Sequence, residues 1–394
     1  MDRTRIMLLG AGELGKELAI AAKRLGLRVV AVDRYDDAPA MQVADAAEVI
    51  SLDDPTSLEG AVRTHRPDLI VPELESVMGE KLAALEAEGF PTVPSARAVQ
   101  LTADREAARR LAAEELGLRT PTYAFAESED ELRDACDHVG YPCMSKPVVG
   151  SMGRGQSLIT GPAKVERAWE YAQVGTPGDR VRLLVEEHVD FETEVVLLAI
   201  RQTDGGVFFL TPVSHRNEGG ILRESWTPAG LTPEQRSECH QAARRLLEHL
   251  GGSGLYALEF FLTSSGVVFS EIVPRPHASG AVTLVSQDLP QSELHLRAFL
   301  GLPVPAVRYH GPAASAVILA PEGGRVVRYD GLERALEVPT GQIRIFGKPE
   351  AYRGRRLGVA LATGADAAEA RSRALEAAAR VDVRVEARGG SRSG

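Results

Sequence analysis

The chain has 394 residues, 44% of them hydrophobic, and 55 acidic against 45 basic side chains give it a net charge of −10. That length buries a large core and divides into two or three domains, and the acidic balance argues against a nucleic-acid or membrane surface as the main partner. Cys136, Cys143 and Cys239 are scattered, with no spacing that indicates a disulfide framework or a zinc site, which fits a reducing compartment.

The opening stretch MDRTRIMLLGAG holds too few apolar residues for a signal sequence, and no later stretch approaches a membrane span, so a cytoplasmic protein is expected. The first hundred residues alternate short apolar runs with helical patterns: RIMLLG, ELAIAAKRLG, RVVAVD, SLEGAVRTH, DLIVPE, KLAALEAEG. That rhythm predicts βαβ units, a parallel sheet with helices on both faces. From about Thr102 a charged helix, DREAARRLAAEELG, leads into a small α+β region ending near LLVEEHVDF. A second sheet-rich stretch runs from TEVVLLAI through VVFSEIV to a helix around ELHLRAFLG. The remainder, from SAVILAP, holds short strands and an Ala-rich helix, DAAEARSRALEAAARV, before a polar end, ARGGSRSG, that reads as disordered.

Four groups of residues carry candidate chemistry. Gly10, Gly12 and Gly15 form G-x-G-x-x-G between a strand and a helix, with Asp33 closing the second strand. This pattern suits a nicotinamide dinucleotide, and it equally suits any strand that turns tightly into a helix; Glu13 and Leu14 are its less generic members. Lys146 in YPCMSKPVVGSMGRGQS precedes a loop with Gly150, Gly153 and Gly155 around Arg154, an arrangement that can wrap nucleotide phosphates without being a Walker A loop. Glu259 and Glu271 close two apolar runs joined by TSSG, so an antiparallel hairpin would bring two carboxylates together, as a hard divalent cation requires. Lys348, Arg355 and Arg356 form a basic cluster suited to a phosphate monoester. His277 has no second histidine or cysteine at ligand spacing and reads as structural or substrate-orienting.

Taken in order, GAGELGKE, VDRYDDAPAMQVA, VPELE, TADREAARRLAAEELGL, YPCMSKP, RESW, FSEIVPRPH, TLVSQDL, RAFLGLPV, GPAASAVIL, IRIFGKPE and RRLGVALA resemble the formate-dependent phosphoribosylglycinamide formyltransferases of purine synthesis, members of the ATP-grasp superfamily. The likeness runs from about Arg5 to Val385. It implies a three-domain fold of mixed α/β and α+β class: a Rossmann-like pre-ATP-grasp domain over 1–110, an ATP-grasp domain over 111–300 with a lid at about 116–189, and a small C-terminal domain over 301–394. It implies ATP and Mg2+ as cofactors, formate and a phosphorylated ribosyl amine as substrates, and a homodimer.

By the same resemblance, Arg105 and Lys146 would contact ATP phosphates under a lid loop of Ser151, Met152, Gly153, Arg154, Gly155 and Gln156. Glu186, Glu187, His188 and Val189 would form the hinge whose backbone reads adenine, and Glu194 would take the ribose hydroxyls. Glu259 and Glu271 would hold magnesium. Glu13, Leu14 and Glu73 would meet the amine substrate, whose phosphate would lie at Lys348, Arg355 and Arg356. The sequence departs from the family where Asp-Thr-Gly usually follows Pro-Arg-Pro-His: here Ala278 stands in place of an aspartate that contacts the glycinamide end. That change favours a relative acting on another phosphorylated amine, an expectation carried beside the purine enzyme and a dinucleotide oxidoreductase.

Overall fold

The computed structural model describes residues 4–74, 79–150, 154–175, 181–304 and 306–386. Ser151, Met152 and Gly153 of the expected lid loop, and the polar C-terminal end, lie outside the described residues.

The strands Arg5–Leu9, Arg28–Asp33, Ala46–Val49 and Leu69–Pro72 form a parallel sheet in which Arg5–Leu9 lies between Arg28–Asp33 and Leu69–Pro72. Ile6 and Leu8 face the helix Glu13–Arg24 through Leu18, Ala19 and Ala22. Met7 and Leu9 face the helix Pro55–His65 through Leu58, Ala61 and Val62. Burial on both faces is why this strand reads as an unbroken apolar run rather than an alternating one. Asp54 starts the second helix by accepting from the N–H groups of Thr56 and Ser57, with Pro55 following it.

The expected charged helix begins at Arg105 and runs regularly to Arg110, then widens over Leu111–Glu115, where Leu116 N–H donates to Leu111 O at 2.9 Å. Beyond it, Tyr123–Ala126, Leu183–Glu187, Cys143–Pro147 and Ser157–Ile159 pair in that order as an antiparallel sheet. The helices Glu129–Val139 and Val165–Gly175 cover it, enclosing Leu132, Cys136, Cys143 and Ile159.

The largest sheet has nine strands, eight of them in the order Gly266–Val273, Gly254–Thr263, Thr193–Arg201, Val213–Glu218, Ile221–Thr227, Ala313–Leu319, Arg356–Thr363 and Gln342–Ile345. The helix Pro233–Leu250, opened by a capping box between Thr232 and Gln235, buries Cys239, Ala243, Leu246 and Leu247 against Tyr256, Leu258 and Phe260. The sheet does not stop at the central region: Ile221–Thr227 pairs with Ala313–Leu319, so strands from both sides of residue 301 share one ladder. The helix Ala367–Ala379 packs Ala370 and Ala374 on this far half. Among the described residues, no helix is long and apolar enough to cross a membrane.

Candidate active site

The glycine turn sits at the C-terminal edge of the parallel sheet, where ligands of such sheets gather. Gly10 has a φ of +111° and lies against Leu74 and Glu73, so a side chain there would be strained and would collide. Asp33, the residue that would take a ribose in the dinucleotide reading, is 5% exposed and accepts from the N–H groups of Ala11 and Arg34, both at 2.7 Å. Its carboxylate holds the turn together. The helix N-terminus is filled by Glu13, whose carboxylate is claimed by side chains from the far end of the chain.

Lys146 comes from the strand Cys143–Pro147, beside Leu183–Glu187. Its Nζ lies 2.6 Å from Glu186 Oε2, and the buried Arg109 guanidinium bonds the other carboxylate oxygen. Arg109 also donates to the carbonyls of Phe269 at 3.3 Å and Ser270 at 3.0 Å, joining the strand Leu183–Glu187 to the strand Gly266–Val273. Burial pushes the Glu186 carboxyl up, but Lys146 and Arg109 outweigh it and hold its pKa at about 2. Thus Glu186 contributes a buried side chain as well as backbone. At the hinge, Glu187 N–H already bonds Thr122 O at 2.9 Å and His188 N–H bonds Pro142 O at 3.3 Å. A base bound there would be read by carbonyls or by Val189. Arg105 donates to Pro147 O at 2.8 Å and lies beside Gly150, at the entrance to the loop carrying Arg154, Gly155 and Gln156.

Glu259 and Glu271 are direct cross-strand partners in the antiparallel hairpin, followed by a register shift at Phe260. Partners of this kind put their Cβ atoms about 5 Å apart on one face. His277 Nε2 lies 3.1 Å from Glu259 Oε1, and its Nδ1 lies 2.7 Å from Ser279 Oγ and 3.3 Å from the Ser279 backbone nitrogen. Burial opposes ionisation of Glu259, but His277, then His215 and Lys146, keep it well below the usual carboxylate range. Glu194 sits on the neighbouring strand with Oε2 2.8 Å from His215 Nε2 and 3.2 Å from Asn217 Nδ2. Its carboxylate is therefore partly engaged by these two side chains.

At the other end of the chain, Lys348 Nζ lies 2.6 Å from Glu13 Oε2 and Arg356 Nη2 lies 2.9 Å from Glu13 Oε1. Burial works against the Glu13 carboxylate, but the two cations outweigh it and hold its pKa at about 2. Arg355 stacks over Tyr35 at 5.2 Å. Glu13, Leu14, Arg356 and Ala278 line one open cavity, whose lining includes the apolar Leu222, Ala281, Leu284 and Val317.

Glu73 follows the strand Leu69–Pro72, is 5% exposed, and has no hydrogen-bond partner for either carboxylate oxygen among the described residues. Burial raises its pKa from 4.5 to about 8, with Arg275 opposing. Because the folded-state pKa lies above the unfolded one, the stability linked to this proton is complete below about pH 4.5 and lost as pH rises to about 8. The loss runs at up to about 1.4 kcal/mol per pH unit. Glu73→Gln is therefore expected to melt higher than the parent at pH 8 and alike at pH 4.5. Thermal unfolding at both pH values checks this, and equal melting of the two proteins at pH 8 would contradict it.

Three family models match the chain in series: the ribonucleotide synthetase preATP-grasp domain over residues 3–103, the ATP-grasp domain over 111–292, and the PurT C-terminal domain over 313–381. A formate-dependent phosphoribosylglycinamide formyltransferase of Solidesulfovibrio magneticus is 50% identical over 380 residues, covering 96% of each chain. The chain belongs to the formate-dependent phosphoribosylglycinamide formyltransferase family. Among solved structures, glycinamide-RNase-transformylase T from Mycobacterium tuberculosis is similar at a TM-score of 0.79 and 36% identity, over 96% of this chain and all of that one (100%). The ADP complex of an N5-carboxyaminoimidazole ribonucleotide synthetase is similar at 0.85 and 26% identity, over 95% of this chain and 96% of that one. ATP-grasp enzymes bind ATP.

Within this formyltransferase fold, the residues singled out from sequence fall into two poles. Lys146, Glu186, Glu194, Glu259 and Glu271 lie on the strands Cys143–Pro147, Leu183–Glu187 and Thr193–Arg201 and on the hairpin Gly254–Val273; Glu13, Leu14, Ala278, Lys348, Arg355 and Arg356 lie around the cavity and its basic rim. Sequence reasoning missed Arg109 and His215. Arg109 stands four residues after Arg105 on one helix, a spacing that shares a face and was a usable signal. His215 meets Glu194 only through strand pairing, which leaves no local trace.

Proposed function

We propose that the protein formylates the amine of glycinamide ribonucleotide, using ATP to activate formate as formyl phosphate. One observation carries the reading: residues 276–280 join both poles. His277 bonds Glu259 on one side, while Ala278 and Gly280 line the cavity shared with Glu13 and Arg356 on the other. An intermediate made at the first pole would be handed across one short segment.

Formate is a poor acyl donor because oxide is a poor leaving group. In the first step a formate oxygen bonds to the γ-phosphorus of ATP and the bond to ADP breaks. In the second the amine nitrogen attacks the formyl carbon, the C–O bond to phosphate breaks, inorganic phosphate leaves and the nitrogen loses one proton. Lys146 and Arg105, with Arg154 in the lid loop, would offset phosphate charge, and hinge residues Glu186 to Val189 with Glu194 would hold the nucleoside. Glu259 and Glu271 fit Mg2+: they are hard oxygen donors, directly opposed, and Glu259 is held ionised. Bound there, the ion would offset the charge of the transferred phosphate. Lys348, Arg355 and Arg356 would hold the substrate phosphate, and Glu73, a buried carboxyl with no hydrogen-bond partner among the described residues, would receive the amine end. On the same reading the protein would work as a homodimer in the cytoplasm.

The test is formate-dependent ADP release with glycinamide ribonucleotide, the formylated product being identified by mass. Arg356→Ala should raise KM for the amine roughly tenfold to a hundredfold and leave KM for ATP unchanged, since a charge-assisted phosphate bond contributes about 1.5–3 kcal/mol. Equal damage to both constants would move the cluster to the nucleotide.

A second reading, acylation of a different phosphorylated amine, is favoured by the apolar residues that line the cavity with Ala278. Ala278→Asp should then raise kcat/KM for glycinamide ribonucleotide about tenfold or more, by restoring a charged hydrogen bond. If the unmodified protein already prefers that amine over all others in a screen and Ala278→Asp changes nothing, the second reading fails.

A further inference from the structure

We propose that Lys16 and Gln42, on the parallel-sheet domain, strap residues 346–348 of the opposite domain in place and so position Lys348 for the phosphorylated substrate. Gln42 Nε2 donates to Gly347 O at 2.7 Å and to Asp37 O at 3.1 Å. Lys16 Nζ donates to Phe346 O at 3.1 Å and to Gln42 Oε1 at 3.2 Å. Two consecutive carbonyls more than 300 residues away in sequence are thus held by two side chains that also hold each other.

The geometry is specific to this contact. Lys16 lies three residues after Glu13 on one helix, so both project from the same face. Lys16 grips the turn one helical step from where Glu13 receives Lys348. Gly347 has a φ of +85°, which favours glycine, and a Cβ there would displace the Gln42 amide. Lys348 is itself 8% exposed, with its ammonium 5.3 Å from the Phe346 ring centroid. A buried ammonium stays charged only beside a partner, and Glu13 is on the other domain. Small drift of the turn would separate the pair. Neither Lys16 nor Gln42 bonds the Lys348 side chain, so both act through the backbone that carries it.

The proposal rests on the reading of Lys348 as a substrate contact, and its test separates the two. Gln42→Met and Lys16→Met keep side-chain length and remove the polar ends. In the unliganded full chain, amide exchange is measured for residues 342–351 and for the hairpin Gly254–Val273. Binding of glycinamide ribonucleotide and of ATP is measured by calorimetry. Faster exchange confined to residues 342–351 is expected, with amine affinity about tenfold weaker and ATP affinity unchanged. Unchanged exchange in both variants overturns the strap. Faster exchange with unaltered amine affinity overturns its bearing on the substrate. If the parent protein does not bind glycinamide ribonucleotide, the reading of the substrate falls, and the strap is still decided by the exchange arm.

Discussion

Glu186→Leu is expected to destabilise the protein by about 3–5 kcal/mol, the range for removing one partner of a buried ion pair. Glu186 is 3% exposed and Arg109 4%, and the single carboxylate serves both Arg109 and Lys146. Its loss leaves a guanidinium inside the protein whose remaining hydrogen-bond partners among the described residues are the carbonyls of Phe269 and Ser270. A large part of the loss should be recovered by pairing it with Arg109→Met, because an apolar pair of similar volume carries no buried charge. Denaturant midpoints for the two single variants and the double would show this. A cost under 1 kcal/mol for Glu186→Leu would mean that the guanidinium finds solvent and that the pair is peripheral.

Glu271→Gln is expected to lower formate-dependent ADP release by at least about a hundredfold, since a carboxylate that holds a divalent ion beside a transferring phosphate has no neutral substitute. Its fold should hold, because the substitution keeps the shape of the side chain on the strand Gly266–Val273. Parent-like ADP release would remove Glu271 from the metal role. A fall in melting temperature of many degrees would instead make the residue structural.

The hairpin behind that prediction was legible because it is local: GLYALEFFLT and VVFSEIV are two short apolar runs, and TSSG between them sets their direction and register. The βαβ rhythm of the first hundred residues was legible for the same reason, as apolar runs long enough to be buried on both faces. Lys348 and Arg356 could be seen as a basic cluster, yet their meeting with Glu13 could not, because it depends on the assembly of two distant domains. Glu186 was visible as part of a hinge. That its side chain is the common anion of Lys146 and Arg109 follows from pairing of Leu183–Glu187 with Cys143–Pro147 and from the approach of a separate helix. The resemblance supplied what periodicity could not, placing residues with no local pattern, such as Glu73 and Glu194, among the site candidates.

The ladder between Ile221–Thr227 and Ala313–Leu319 makes the molecule indivisible at the position where its sequence suggests a seam. Cutting the chain near residue 301 leaves both fragments physically zipped together. Producing them separately bares two raw strand edges, each a row of unsatisfied backbone donors and acceptors ready to pair with any extended chain. Fragments expressed apart would precipitate, whereas fragments made together would reassemble. During synthesis on the ribosome, Ile221–Thr227 waits for nearly ninety further residues before its neighbour emerges, and over that interval its edge is open to pairing with other extended chains.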